Sequence, residues 1–284
     1  MFPSTFDVQK CTHLIIVCCH AIYLGGPTKG VSVDEWLIEP FQKGETPTFT
    51  AHVKAGLQAA AEDPESLLVF SGGATKRPLT DLAEGDSYLN LAKDNAYFTY
   101  SNKINTLQIT TETHATDSYQ NVLFSLLKFR VHTGHYPTRV TIVTHEFKRK
   151  RFMEYHFPAV GLAPVSTCSA SASTSIPTGA DRHRSSSQCE GDVIGINPPE
   201  EVTSEASLIA GEEKRGIGLW KEDRYGVQAE LAGKRAKRGW TKGMERSVFG
   251  DLGLEPVVEE LACWDGGEGG NEWFPKMDQL PWYT

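Results

Sequence analysis

Paired cysteines are missing from this chain. Its six cysteines, Cys11, Cys18, Cys19, Cys168, Cys189 and Cys263, include no Cys-x-x-Cys pair, which removes the zinc-ribbon and thioredoxin-type readings. Cys18 and Cys19 fall in an apolar run and read as small buried hydrophobes. No His-Glu-x-x-His or similar spacing occurs, so no metal ligands are assigned from the sequence. There is no Gly-x-Ser-x-Gly elbow, the signature of one large class of serine hydrolases. Ser71-Gly72-Gly73 is followed by no Gly-Lys-Ser/Thr and is not part of a Gly-x-Gly-x-x-Gly fingerprint, so neither nucleotide loop is present. Positive charge is scarce as well: 28 Lys and Arg stand against 36 Asp and Glu, a net charge of −8. Nonspecific nucleic-acid binding needs a basic face and is not expected. The basic stretch Lys234, Arg235, Lys237, Arg238 and Lys242 lies in no recognised nucleic-acid module and reads as a solvated helix face. No apolar stretch reaches membrane-spanning length, and no signal-peptide pattern opens the chain. No membrane partner is therefore expected, and a reduced cytoplasmic setting is the simplest one.

What is present is an alternation of short apolar runs and helical stripes. Leu14 to Cys19, Leu67 to Phe70 and Val140 to Val143 are continuous rather than alternating, which suits parallel strands buried on both faces. Leu107 to Thr111 is a weaker run and Val193 to Ile196 a fifth. Between them the spacing predicts helices over Phe49 to Ala61, Asp81 to Ala92 and the stripe Tyr119, Val122, Leu123, Leu126 and Leu127, with a short one over Arg151 to Phe157. Asp117 can cap the third, with Gln120 as its capping-box partner. Strands alternating with helices predict crossover units and a mostly parallel sheet of about five strands, covered on both sides. Residues 1–165 and 191–265 are expected to form one α/β domain. The serine-rich stretch 166–190 cannot bury a core and is expected to be a disordered insertion. Residues 206–239 look mostly helical, and 266–284 form a Gly-rich, then aromatic tail whose Trp273, Phe274, Trp282 and Tyr283 can dock back on the domain.

Polar residues follow the strand runs. His20 follows the first, Ser71-Gly72-Gly73 the second, Glu112 and His114 the weaker run, Thr144-His145-Glu146 the run ending at Val143, and Asn197 the last. Ligands of open α/β sheets bind outside the carboxyl ends of the strands. These residues are therefore the expected walls of a small-molecule site. The glycines after Ser71 permit positive φ and close approach of a ligand to backbone donors, although a lone Gly-Gly reads first as an ordinary tight turn. Glu112 can act as a general base or hold a hydroxyl, or it can be a solvated loop acid. Asp117 reads first as a helix cap, and Asn121 shares its face. Lys148 and Arg151, three apart, can grip a phosphate or carboxylate, the bland alternative being a solvated basic helix start. His20 is a candidate base or a structural histidine.

Taken in order, these residues resemble the bacterial YdcF/SanA/ElyC-like family, a domain of unknown function. The resemblance rests on Phe70-Ser71-Gly72-Gly73, Ala83-Glu84-Gly85, Glu112 with Asp117-Ser118-x-x-Asn121, and Val143-Thr144 with Lys148-x-x-Arg151. It spans roughly Thr12 to Ala163 and resumes at Val193. A fungal branch fits best, on Phe49 to Gly56, Leu123-Phe124-Ser125, Phe147-Lys148 with Arg151-Phe152, Gly195 to Pro199, and Asp223-Arg224-Tyr225-Gly226 followed by Lys234-Arg235. Three departures stand out: Lys148 replaces the bacterial histidine, His145 a serine, and Ala83 another serine. The resemblance implies an α/β Rossmann-like three-layer sandwich with a C-terminal extension. It implies S-adenosylmethionine as one ligand of the family, but no reaction, and the bacterial histidine's role cannot be carried over.

These readings converge on a small-molecule-binding domain for an anionic or nucleoside-type ligand such as S-adenosylmethionine. Ser71, Gly72 and Gly73 would supply backbone donors and Glu84 and Glu112 would orient hydroxyl or amino groups. Asp117, Ser118, Asn121 and Thr144 would line the ligand, with Lys148 or Arg151 on the anion. Glu112, His20 and His145 are the candidate catalytic groups; were the domain enzymatic, transferase or hydrolase chemistry would fit best. Two alternatives stay open: a non-catalytic interaction protein using the insertion and tail, and a metal-assisted hydrolase built on Glu112, Asp117 and His145.

Overall fold

The computed structural model describes residues 6–165 and 188–283. The core of the expected serine-rich insertion, 166–187, lies outside the described residues. Six strands form one parallel sheet: β1 (His13–Cys18), β2 (Ser66–Ser71), β3 (Ile109–Glu112), β4 (Arg139–Thr144), β5 (Ala163–Pro164) and β6 (Glu190–Gly195), in the order β3-β2-β1-β4-β6-β5. Helices α1 (Thr46–Glu62), α2 (Glu84–Asp94) and α3 (Ser118–Thr133) cross over between the first four. The result is an α/β, Rossmann-like three-layer sandwich. A short antiparallel ladder, Ile22–Tyr23 with Trp36–Leu37, interrupts the path from β1 to α1.

Continuous apolar runs become central strands because both faces of this sheet are covered. Every residue of β1 and of β2 is buried. Ile15, Val17, Leu68, Phe70 and Val143 pack under α1 and α2. Leu14, Ile16, Cys18, Leu67, Val69 and Ile142 pack under α3 and the C-terminal third of the chain. Burial pushes the Cys18 thiol up to about 12 and that of Cys19 well above its usual value, so both serve as small apolar residues.

Among the boundaries that move from their predicted places, two have a local reason. The second helix begins at Glu84 because Ala83 is extended, with φ −72° and ψ 147°. The weak strand starts at Ile109 because Asn105 caps a single 3₁₀ turn over Thr106–Gln108. The sixth strand, β5, is two residues long and ends in a proline, which an edge position tolerates.

The C-terminal extension packs on the α3 side through Glu205–Glu212, Ala229–Lys237, Met244–Phe249 and Pro256–Ala262. Its basic stretch is not uniformly solvated: Arg235 is buried and Arg238 donates to the Thr116 carbonyl. In the tail Phe274, Leu280 and Trp282 are buried, and the Trp282 indole donates to Val160 O at 2.7 Å. Trp273 stays half exposed beneath the Arg224 guanidinium, 3.8 Å from its ring centre. Among the described residues no helix is long and apolar enough to cross a membrane.

Candidate functional site

The chain lays β1, β2 and β3 outward in one direction and then returns to place β4 on the other side of β1. The β1/β4 boundary is therefore the point where strand order reverses, and its carboxyl end is the place where such sheets open a crevice. His20 leaves β1 there, and Thr144 and His145 leave β4. A third histidine joins them from outside the strand ends. His52 projects from the buried face of α1, 0% exposed. Gly56 lets α1 come close enough: a Cβ there would lie 2.4 Å from Val17 Cγ2.

The three rings are in mutual contact. His145 lies 4.5 Å from His20 and 4.8 Å from His52, centre to centre, with Phe49 and Phe147 closing the apolar side. His52 Nε2 sits 2.9 Å from Ile196 O, so that nitrogen carries the proton and Nδ1 the lone pair. Neither His52 Nδ1 nor either nitrogen of His145 has a hydrogen-bond partner. The His20 ring makes only long hydrogen-bond contacts, 3.3 Å to Thr144 Oγ1 and 3.4 Å to Lys148 Nζ. Burial, then the Lys148 charge, hold His20 and His145 well below the usual histidine range, and burial brings His52 down to about 4. All three are neutral imidazoles at pH 7. Lys148 itself is lowered to about 8, first by burial and then by Arg151. Among the described residues it has no ion-pair partner. Glu45, buried at the start of α1, brings Oε2 to 3.8 Å from His145 Nε2.

The other expected residues lie in two groups beside the crevice, and most of their polar atoms are engaged within the protein. Glu112 is buried, accepts from Ser71 Oγ at 2.7 Å, and receives the backbone N–H groups of His114 at 2.5 Å and Ala115 at 3.0 Å. Asn121 Nδ2 donates to Ser71 O and Oγ at 3.0 and 2.9 Å. This network ties β2, β3 and α3 together. The glycines are required for closeness rather than for positive φ. Gly72 N–H donates to Glu112 O and Gly73 N–H to Ala115 O, and a Cβ on Gly72 would sit 2.9 Å from that of Glu84. Glu84 heads α2, accepts from Thr75 Oγ1 at 2.5 Å, and has its carboxyl pushed up by burial. The charges of Arg238, Lys76 and Lys148 act against that shift.

In the second group Asp117 caps α3 through Gln120 N and pairs with Arg235 at 2.6 Å. The Gln120 amide does not complete a capping box; its oxygen accepts from Thr116 N and Oγ1 instead. Arg151 binds Glu212 through Nε at 2.7 Å and through a second, shorter contact, and its third nitrogen donates to Ser118 Oγ. Ser118 in turn meets His156 Nε2 at 2.7 Å. His145 is therefore separated in role from Glu112 and Asp117, whose oxygens are taken. The metal-assisted arrangement expected of those three is not assembled in this structure.

Sequence reasoning missed His52 and Glu45. A signal for His52 existed: it is the one ionisable residue on the stripe formed by Phe49, Val53, Gly56, Leu57 and Ala60. A separate cavity of about 430 Å³ lies against α3, lined by Tyr119, Gln120, Trp240, Arg246 and Trp264 among others. Tyr119 Oη and Gln120 Nε2 have no partner there.

Compared with known proteins, the chain is similar to an uncharacterised protein of the yeast Saccharomyces cerevisiae: 22% identical over 305 aligned residues, covering 90% of this chain and 89% of the yeast one. No family model matches the chain, and no solved structure matches it. The similarity supports kinship with a fungal protein of unknown function; the bacterial family named above gains no support from it.

Proposed function

We propose that this domain binds an anionic small molecule, of the nucleotide, sugar-phosphate or amino-acid type, in the crevice between the carboxyl ends of β1 and β4. The observation that carries the reading is Lys148. Its side chain is half-buried at the crevice, where burial lowers its pKa, and it has no ion-pair partner among the described residues. An unpaired cation in a low-dielectric site is costly, and an incoming phosphate or carboxylate relieves that cost. Arg151, its expected partner in gripping the anion, has its charge matched by Glu212 and helps to hold the crevice wall. Thr144 and His20 would face the anion beside Lys148, and Glu84 at the head of α2 would meet hydroxyl or amino groups. S-adenosylmethionine belongs among the ligands to try, because it offers both a carboxylate and a ribose.

Calorimetry of the full chain against ATP, AMP, glucose 6-phosphate, inorganic phosphate and S-adenosylmethionine tests this. At least one should bind, and Lys148→Met should weaken it by on the order of 10- to 100-fold, the worth of one charge-assisted hydrogen bond. Arg246→Gln, at the rim of the α3 cavity, should leave the affinity unchanged. Absence of binding across the series would sink the reading. Loss with Arg246→Gln but not with Lys148→Met would move the ligand to the cavity.

A further inference from the structure

The three histidines ask for something an anion does not supply. His145 is 3% exposed and His52 fully buried, yet three of their four ring nitrogens have no partner. Buried polar atoms in folded proteins are nearly always satisfied; each neutral ring offers one lone-pair nitrogen, and lone pairs gathered this closely are satisfied by a donor or a cation placed among them. We propose that His20, His52 and His145 form a site for one divalent transition-metal cation of the zinc class.

Four features support this assignment. One nitrogen from each ring lies within 4.8 Å of the others. A tetrahedral site with metal–nitrogen bonds of about 2.0 Å holds its ligands about 3.3 Å apart, so modest rotations of the rings bring the set together. The ligand type selects the metal: imidazole suits zinc, copper or nickel, whereas magnesium and calcium take oxygen. His52 already has the outer hydrogen bond that metal-bound imidazoles use, from Nε2 to a backbone carbonyl, which aims Nδ1 inward. Finally, Glu45 sets a buried carboxylate at the edge of the cluster, 3.8 Å from His145 Nε2, where it offsets part of the cation's charge. Lys148 works against a cation, and its contact with His20 at 3.4 Å is long enough to be displaced.

The inference does not depend on the anion-binding reading, and the test uses metal alone. Tag-free full-length protein, stripped with a chelator, is titrated with zinc in competition with a chromophoric chelator, and with cobalt while the visible spectrum is recorded. One equivalent should bind, with the d–d bands of a four-coordinate nitrogen-rich site. His52→Gln and His145→Gln should each weaken zinc by about 100-fold or more, beyond what loss of an outer-sphere partner usually costs. Lys148→Gln should tighten it, the opposite of its expected effect on anions. His132→Gln, on the exposed end of α3, should change nothing. Should either buried variant fail to fold, His20→Gln, the most exposed of the three, takes its place with the same expected loss. No stoichiometric zinc on folded wild-type protein, or unchanged affinity in folded histidine variants, would overturn the assignment.

Discussion

Arg151→Met is expected to cost about 3–5 kcal/mol of unfolding free energy, the usual penalty for stranding one charge of a buried pair. The side chains of Arg151 and Glu212 are 13% and 4% exposed, and they meet through two contacts. Removing the guanidinium leaves the Glu212 carboxylate without its counter-charge and Ser118 Oγ without a donor. Glu212→Leu should cost a similar amount, since it strands the guanidinium. The double variant Arg151→Met/Glu212→Leu should recover most of the loss, because it buries no charge at all and apolar replacements of buried pairs are often neutral. Urea denaturation of the four proteins gives the cycle directly. Additive losses would mean that the two side chains do not act as a pair. The same four proteins separate Arg151's two roles. A double variant that regains stability and still binds the crevice ligand identifies Arg151 as a fastener. One that regains stability without ligand affinity returns it to the ligand.

The second large effect is expected at Glu112. Glu112→Ala removes the acceptor for the Ser71 hydroxyl and for the N–H groups of His114 and Ala115. A buried donor left without a partner costs about 1–3 kcal/mol. Allowing for relaxation and for water entering the space, a total of about 3–5 kcal/mol is expected. Glu112→Gln keeps one acceptor oxygen and should lose roughly half as much. In the sequence Glu112 reads as a candidate base, and a base behaves differently: both substitutions would abolish activity while leaving stability nearly intact. Denaturant midpoints of the two variants beside any assayable turnover distinguish the cases. A stable Glu112→Ala protein would show that the network joining β2, β3 and α3 does not hold the strand ends together.

Both predictions show where reading from the sequence stopped. Glu112 and Arg151 look like free functional groups because their partners, Ser71 and Glu212, are remote in sequence. Asp117 was legible as a cap because its partner Gln120 lies within one turn, whereas its pairing with Arg235 across the C-terminal extension was not. His52 was overlooked for the same reason. A lone histidine on an apolar helix stripe stands out, but nothing near it in sequence shows that two others will converge on it.

The sequence by itself determined the layered α/β architecture. Its continuous apolar runs suit strands covered on both faces, and its helical stripes supply the cover. It also determined that polar residues would gather at the strand ends, because strand polarity and chain order follow from the alternation. Only the tertiary structure decided which of those residues are spent and which are free. Placing β4 beside β1 opened the crevice and gathered His20, His52, His145 and Lys148 in it. The same packing gave Glu112, Asp117 and Arg151 internal partners. Hydrogen-bond satisfaction is a property of three-dimensional neighbours, and no periodicity along the chain records it.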